Sequence, residues 1–511
     1  MHIRTGTAFL ASALAGAIFQ LGFEPTHWVP VGIVGLSLWL WVLSRAESWR
    51  ALAVSGIGFG LTWFGLGLQW TVNTMTEHGH LPMVVAQLGT FALALLLSIS
   101  PTVTALIVGP RRQQPAFVYA LQWAGTFTLM EWVRGEGLMH FGWLSPSHML
   151  VGTLWDGWLP IGGEYALNLV MLFTSATLWG LIVGRNVERV CFVLAGVLML
   201  GLGWQAKALP WGQQRDHMTV LLVQPNMPVV DAFMRVRPMD RIAELDRLLT
   251  QQGTNQQAED RPDLTLIPEG IVNVPLSRLT RTEQEALRGL TQKAQSPVLM
   301  NAFRLEGEKI FNTSFVLNPD GVSYHVDKRH LVPFGEFVPT GFHWFVNLLG
   351  IPMADLSAGD MKQPGLTLNG MRVAFMICYE NLFGSLSRSW WLQPGHPNVV
   401  AVTANLGWFG PSIHAQYLAM TRMRAMEVAL PFVSVANNGW SAVVDPKGNV
   451  LERLPMGEER VQTVKVPLYS CGSTPYTRQG PLPVLILSLL LALFGLYERF
   501  CVRKRPALTH D

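Results

Sequence analysis

Seven charge-poor apolar runs crowd the first 204 residues of this 511-residue chain, and an eighth lies close to its end. They occupy residues 6–23, 28–43, 51–70, 81–108, 116–133, 165–183, 190–204 and 481–497. A membrane-crossing helix needs about 20 mostly apolar residues, so this succession points to a helical membrane domain of about eight transmembrane helices. The first run reads as an uncleaved helix rather than a signal peptide, because further spans follow it at once. Only 14% of the residues are charged, against about 25% in ordinary soluble proteins. A formal charge of +3 offers no basic face, so a nucleic-acid partner is not expected.

Arginine placement sets an expected orientation. With the N-terminus in the cytoplasm, the pairs Arg45 and Arg50, Arg111 and Arg112, and Arg185 and Arg189 all fall on the cytoplasmic side. Arg503-Lys504-Arg505 after the last span falls there too, while loop 71–80 carries no Lys or Arg. This is the positive-inside pattern, and it puts both termini inside. Residues 205–480 then lie outside the cytoplasm. The expected division is residues 1–210 for helices one to seven, 211–476 for a catalytic domain, and 477–511 for helix eight and its tail.

The polar stretch alternates strand-like and helix-like patterns. Runs 217–223, 264–267, 298–301, 373–377, 399–403 and 432–436 read as strands; 240–251, 282–294 and 414–428 read as helices. That alternation is an α/β signature. Asp445-Pro446-Lys447-Gly448 reads as a tight turn within a hairpin.

Three strand ends carry reactive side chains. The strand at 371–377 ends in Cys378, followed by Tyr379 and Glu380. By itself Cys378 reads equally as a nucleophile, a small core residue or a disulfide partner of Cys471. The strand at 264–267 ends in Pro268-Glu269. Lys328 precedes an apolar segment, Leu331-Val332-Pro333-Phe334-Gly335-Glu336, that is unusual for a surface loop.

These segments, in the order Glu269, Lys328, Cys378, resemble the catalytic motifs of the nitrilase superfamily. With the spans, the chain resembles the apolipoprotein N-acyltransferases, the membrane-embedded branch that completes bacterial lipoprotein maturation. Asn405 with Trp408-Phe409-Gly410, and Asn437-Asn438-Gly439, fit as well. The chain departs at Ile267 and Gly270, where the family usually carries Trp and Ser or Thr, and at Leu406-Gly407, which replaces an Asp-containing pair. A Trp usual after the first strand is missing, with Phe233 near its place.

The resemblance implies a four-layer α-β-β-α sandwich behind the helices, in a multi-pass protein of the bacterial inner membrane with its catalytic domain in the periplasm. Glu269 would be the general base, Cys378 the nucleophile, and Lys328 with the backbone N–H of Tyr379 the oxyanion donors. Glu336 and Glu380 would support them. The implied substrates are a phospholipid acyl donor such as phosphatidylethanolamine and a diacylated apolipoprotein, handled by a monomer without cofactor or metal. Water as acceptor, making the chain a membrane-tethered amidase or hydrolase, is the competing reading. Elsewhere, Trp143, Trp155 and Trp158 read either as an aromatic belt at a lipid entrance or as plain packing. Glu131 and Arg134 read as a local i,i+3 pair.

Overall fold

The computed structural model describes residues 3–229, 236–253, 261–341, 343–344, 355–470 and 473–502. Phe233, Cys471 and the 503–505 tail therefore lie outside the described residues. The chain divides into two compact units, Met1–Leu209 with Arg478–Asp511, and Pro210–Thr477.

In the first unit the apolar runs form helices α1 (Thr5–Gln20), α2 (Val29–Arg45), α3 (Trp49–Gly67), α4 (Trp70–Asn73), α5 (Met83–Leu97), α6 (Ile99–Val108), α7 (Ala116–Trp132), α8 (Leu159–Val183) and α9 (Asn186–Ala208), joined by a C-terminal helix Leu482–Val502. Among the described residues, four stretches are long and apolar enough to cross a membrane: Met83–Val108, Asp156–Val183, Asn186–Ala208 and Leu482–Phe500. A fifth counts if α3 and the following segment, bent by 54° at their junction, form one span. The expectation was about eight. The first two runs yield shorter helices of 16 and 17 residues, at the low end of the spanning range.

Small residues set how closely these helices pack. A Cβ on Gly16 of α1 would lie 2.3 Å from the Phe59 carbonyl oxygen of α3, and one on Gly35 of α2 would lie 2.5 Å from the Phe19 nitrogen of α1. Glycine at such crossings lets backbones approach where no hydrophobic drive separates helix from lipid. Into the space between α1, α2, α3 and α7 pack Phe19, Trp39, Phe59, Trp63 and Phe127, all buried, with Trp39 stacked on Phe59 at 4.3 Å. Glu131 and Arg134 do form the i,i+3 pair. Arg134 also reaches the carbonyls of Phe141 and Trp143 at 2.6 and 2.8 Å, so the pair pins the following loop. Trp143 is buried against Trp70; it packs rather than facing lipid.

The described residues of the second unit form two six-stranded sheets. One contains β1 (Gln213–Gln224), β2 (Leu264–Leu266), β3 (Val298–Glu306), β4 (Lys309–Asn318), β5 (Gly321–Asp327) and β12 (Arg460–Ser470), in the order β12-β1-β2-β3-β4-β5. The other runs β11-β10-β9-β8-β7-β6, from β6 (Leu366–Leu368), β7 (Met371–Ile377), β8 (Val399–Ala404), β9 (Phe432–Ala436), β10 (Ala442–Val444) and β11 (Val450–Arg453). Strands β1, β2 and β3 are parallel, as are β7, β8 and β9. Helices α10 (Pro238–Gly253) and α11 (Arg281–Ala294) bury Leu245, Leu249, Leu287 and Leu290 against Val223, Val298 and Met300 of the first sheet. A capping box starts α11: Glu283 accepts from the Thr280 N–H at 2.8 Å, and Thr280 accepts from the Glu283 N–H. Helices α12 (Gly384–Trp391) and α13 (Ile413–Val428) follow β7 and β8. The Asp445–Gly448 turn joins β10 to β11, its Asp445 carboxylate accepting from the N–H groups of Lys447 and Asn449 at 2.8 Å each.

One consequence is measurable. Gly16→Ala places a methyl inside the α1–α3 contact and is expected to cost about 1–3 kcal/mol, read as a lower melting temperature in detergent. Unchanged melting would show that the two backbones can separate freely.

Candidate active site

Open α/β sheets present chemistry at the carboxyl ends of their parallel strands, where loops replace the ladder. Glu269 follows β2, Lys328 follows β5 and Cys378 follows β7. The structure brings all three together, and all three are buried.

Lys328 is the hub. Its Nζ donates to Glu269 Oε1 at 3.1 Å and to Glu336 Oε1 at 2.9 Å. Burial pulls the ammonium's pKa down, but the negative charge of Glu269, then Glu336, outweighs it, so the net shift is upward and Lys328 stays protonated. The Leu331–Glu336 segment, which reads as too apolar for a surface loop, closes on itself. Glu336 Oε2 accepts from the Val332 N–H at 2.8 Å, and the Glu336 N–H donates to the Val332 carbonyl. That turn aims Glu336 at the lysine.

Asn312, on β4, was not among the candidates read from the sequence. Its Nδ2 donates to Glu269 Oε1 at 2.7 Å and to Glu336 Oε1 at 2.8 Å. The same two oxygens thus receive both Lys328 and Asn312, which fixes the orientation of both carboxylates. Asn312 also accepts the Lys328 N–H on its backbone carbonyl at 2.8 Å. Its position in a polar run, Asn312-Thr313-Ser314, disguised it; only the strand register carries it to the site.

Cys378 sits on a sharp strand-to-turn transition with φ of +48°, a left-handed conformation that costs a residue with a Cβ about 1–2 kcal/mol. Such strain persists when the surroundings over-determine it. Glu380 supplies part of that. Its Oε2 accepts from the Ile377 N–H at 2.9 Å, and its Oε1 accepts from the Arg329 N–H at 2.7 Å. One buried carboxylate therefore ties the residue before the cysteine to the residue after the lysine. Arg329, also missed in the sequence, lies over Trp390 at 4.9 Å and donates to Ser389 at 2.8 Å. Tyr379 is buried edge-on to Phe383.

The Cys378 thiol is free and hydrogen bonded to the Glu269 carboxylate. Burial first, and the nearby negative charge of Glu269 second, raise the thiol well above its ordinary range, with Lys328 opposing them. The resting group is a neutral thiol with a proton acceptor in contact. Gly270, next to that acceptor, has φ of +77°, and a Cβ there would lie 2.8 Å from Asn405 Nδ2. Glycine is what this turn admits.

The family model for the apolipoprotein N-acyltransferase N-terminal domain matches residues 15–177, and that for carbon-nitrogen hydrolases matches residues 266–476. An apolipoprotein N-acyltransferase of Ralstonia nicotianae is 32% identical over 500 residues, covering 96% of this chain and 93% of the relative. The chain belongs to the apolipoprotein N-acyltransferase family. The family member of Bordetella bronchiseptica is 31% identical over 94% of this chain and 95% of its own length, and that of Nitrosomonas europaea 30% over 97% and 98%. The chain is thus an acyltransferase with a nitrilase-like catalytic fold.

A raised thiol pKa has a definite signature. Below that pKa the thiolate fraction grows tenfold per pH unit, so iodoacetamide alkylation of Cys378 is expected to keep climbing past pH 9. A plateau at or below pH 8 would contradict the burial argument.

Proposed function

We propose that this enzyme N-acylates the α-amine of the diacylglyceryl-modified N-terminal cysteine of apolipoproteins, taking the acyl group from a phospholipid through a Cys378 thioester. The observation that carries this reading is the thiol–Glu269 contact backed by Lys328. A neutral buried thiol is a poor nucleophile until its proton has somewhere to go.

In the first half-reaction Glu269 takes the thiol proton as sulfur attacks the ester carbonyl of the donor. The carbonyl oxygen becomes negative beside the Lys328 ammonium and the Tyr379 N–H. The tetrahedral adduct collapses, the glycerol oxygen leaves with the proton held on Glu269, and a lysophospholipid departs. In the second half-reaction the free α-amine attacks the thioester and gives up a proton to Glu269. Collapse of that adduct forms the amide, expels sulfur, and returns the proton to Cys378. Glu336 and Asn312 hold Lys328 and Glu269 in place throughout. Phosphatidylethanolamine is the donor we favour.

The protein is proposed to be a monomeric, eight-span protein of the bacterial inner membrane, and the arginine pattern supports its orientation, with both termini cytoplasmic and the catalytic unit periplasmic. Confinement of both lipid substrates to one leaflet supplies proximity that free diffusion lacks.

The test follows a labelled acyl chain from phosphatidylethanolamine to a diacylated lipopeptide. The wild type is expected to yield an N-acyl amide and lysophospholipid in equal amounts. Lys328→Met should lower the rate by about 100- to 1,000-fold, and Glu269→Gln by at least about 100-fold. Labelled free fatty acid with no acylated peptide would replace this reading with the hydrolase.

A further inference from the structure

Tyr417 on α13 belongs to none of the motifs described above, yet it touches the nucleophile's backbone. Its hydroxyl donates to the carbonyl oxygen of Cys378 at 3.0 Å. The side chain of Asn381 is hydrogen bonded to Tyr417, and Asn381 Nδ2 donates to Thr421 Oγ1 at 2.8 Å. Thr421 in turn donates to the Tyr417 carbonyl at 3.1 Å. All three residues are buried. A closed polar chain inside the protein therefore ends on one backbone carbonyl.

That carbonyl shares its peptide unit with the N–H of Tyr379. The unit is planar and trans, so the two groups point in opposite directions. Holding the carbonyl fixes where the N–H points. The anchor matters because Cys378 sits at φ +48°, a region a non-glycine residue leaves readily once nothing restrains it. Glu380 restrains the chain on the other side, through Ile377. Burial, with the negative charge of Glu269 and Glu380 adding to it, holds the Tyr417 hydroxyl well above its ordinary pKa. It therefore remains a donor across the working range.

We propose that Tyr417 is a positioning residue for acyl transfer: by anchoring the Cys378 carbonyl it aims the Tyr379 N–H at the oxygen that turns negative when Cys378 is acylated. This rests on the acyl-transfer reading given above. It assigns Tyr417 to stabilising the tetrahedral adduct rather than to activating sulfur.

The two roles separate by reagent. Iodoacetamide is attacked at a saturated carbon and forms no oxyanion, whereas an ester forms one. The experiment uses full-length protein in detergent, wild type against Tyr417→Phe. Three rates are measured: alkylation by iodoacetamide, the nitrophenol burst from p-nitrophenyl butyrate, and thioester formation from phosphatidylethanolamine. Alkylation is expected to stay within about twofold, because the thiol and its base are untouched. Both acylations should slow by about 10- to 100-fold in kcat with KM unchanged, somewhat less than outright loss of an oxyanion donor. Asn381→Ala, which loosens the hydroxyl without removing it, should lower acylation about threefold with the same split, and it serves if Tyr417→Phe melts early. Alkylation and acylation falling together would overturn the proposal, since Tyr417 would then only shape the pocket. So would unchanged acylation. If the wild type gives the ester burst but no thioester from phospholipid, the proposed donor is wrong while the nitrophenyl ester still decides the role of Tyr417. A wild type silent toward both esters would overturn both readings.

Discussion

A buried ammonium shared between two carboxylates organises the catalytic unit. Taking Lys328 out of water alone would cost several kcal/mol; flanked by Glu269 and Glu336 it is paired instead, at 3.1 and 2.9 Å. Those partners come from the end of β2 and from the turn at Leu331–Glu336, so the charge cluster closes only when both are in place. Asn312 adds neutral donors to the same two oxygens and stops the carboxylates from rotating toward other partners. The arrangement leaves Glu269 in contact with the Cys378 thiol, and it places a permanent positive charge beside the sulfur. The proposed general base and electrostatic stabiliser are thus set by one network.

A second network holds the backbone of the proposed nucleophile. Glu380 and Tyr417 grip the chain before and after Cys378, through the Ile377 N–H and the Cys378 carbonyl. Glu380 also binds the Arg329 N–H, next to Lys328. The two networks therefore meet at adjacent residues, Lys328 and Arg329. Neither consists of surface ion pairs, which are individually worth little; both are buried, where an unpaired partner is expensive.

Much of this was legible in the sequence, for reasons that differ by residue. Glu269 and Cys378 stand out because a short apolar strand stops abruptly at a reactive side chain, and Lys328 because an improbably apolar segment follows it. The strands at 432–436 and 264–267 and the helices at 240–251, 282–294 and 414–428 follow from periodicity, and the structure places their ends within two residues of those bounds. Asn312 stayed hidden because polar residues in mid-strand look like loop until cross-strand pairing buries them. Arg329 and Tyr417 stayed hidden because backbone contacts, which side-chain patterns do not encode, give them their place. In the helical unit, hydropathy found the helices, and among the described residues four or five of them have the length and composition of a span. α1 and α2 are short, and α3 turns away near Gly67, where the chain bends by 54°. The burial of Trp143 reflects the Arg134 contacts that fold the following loop inward.

The central claim is that Cys378 carries the acyl group, and intact-protein mass spectrometry tests it most directly. Wild type and Cys378→Ala would be incubated with phosphatidylethanolamine, without acceptor, and weighed before and after hydroxylamine. The account predicts one added acyl chain on the wild type, removed by hydroxylamine, and none on Cys378→Ala. A wild type that remains unacylated with well-presented lipid, or an adduct that persists on Cys378→Ala, would contradict it.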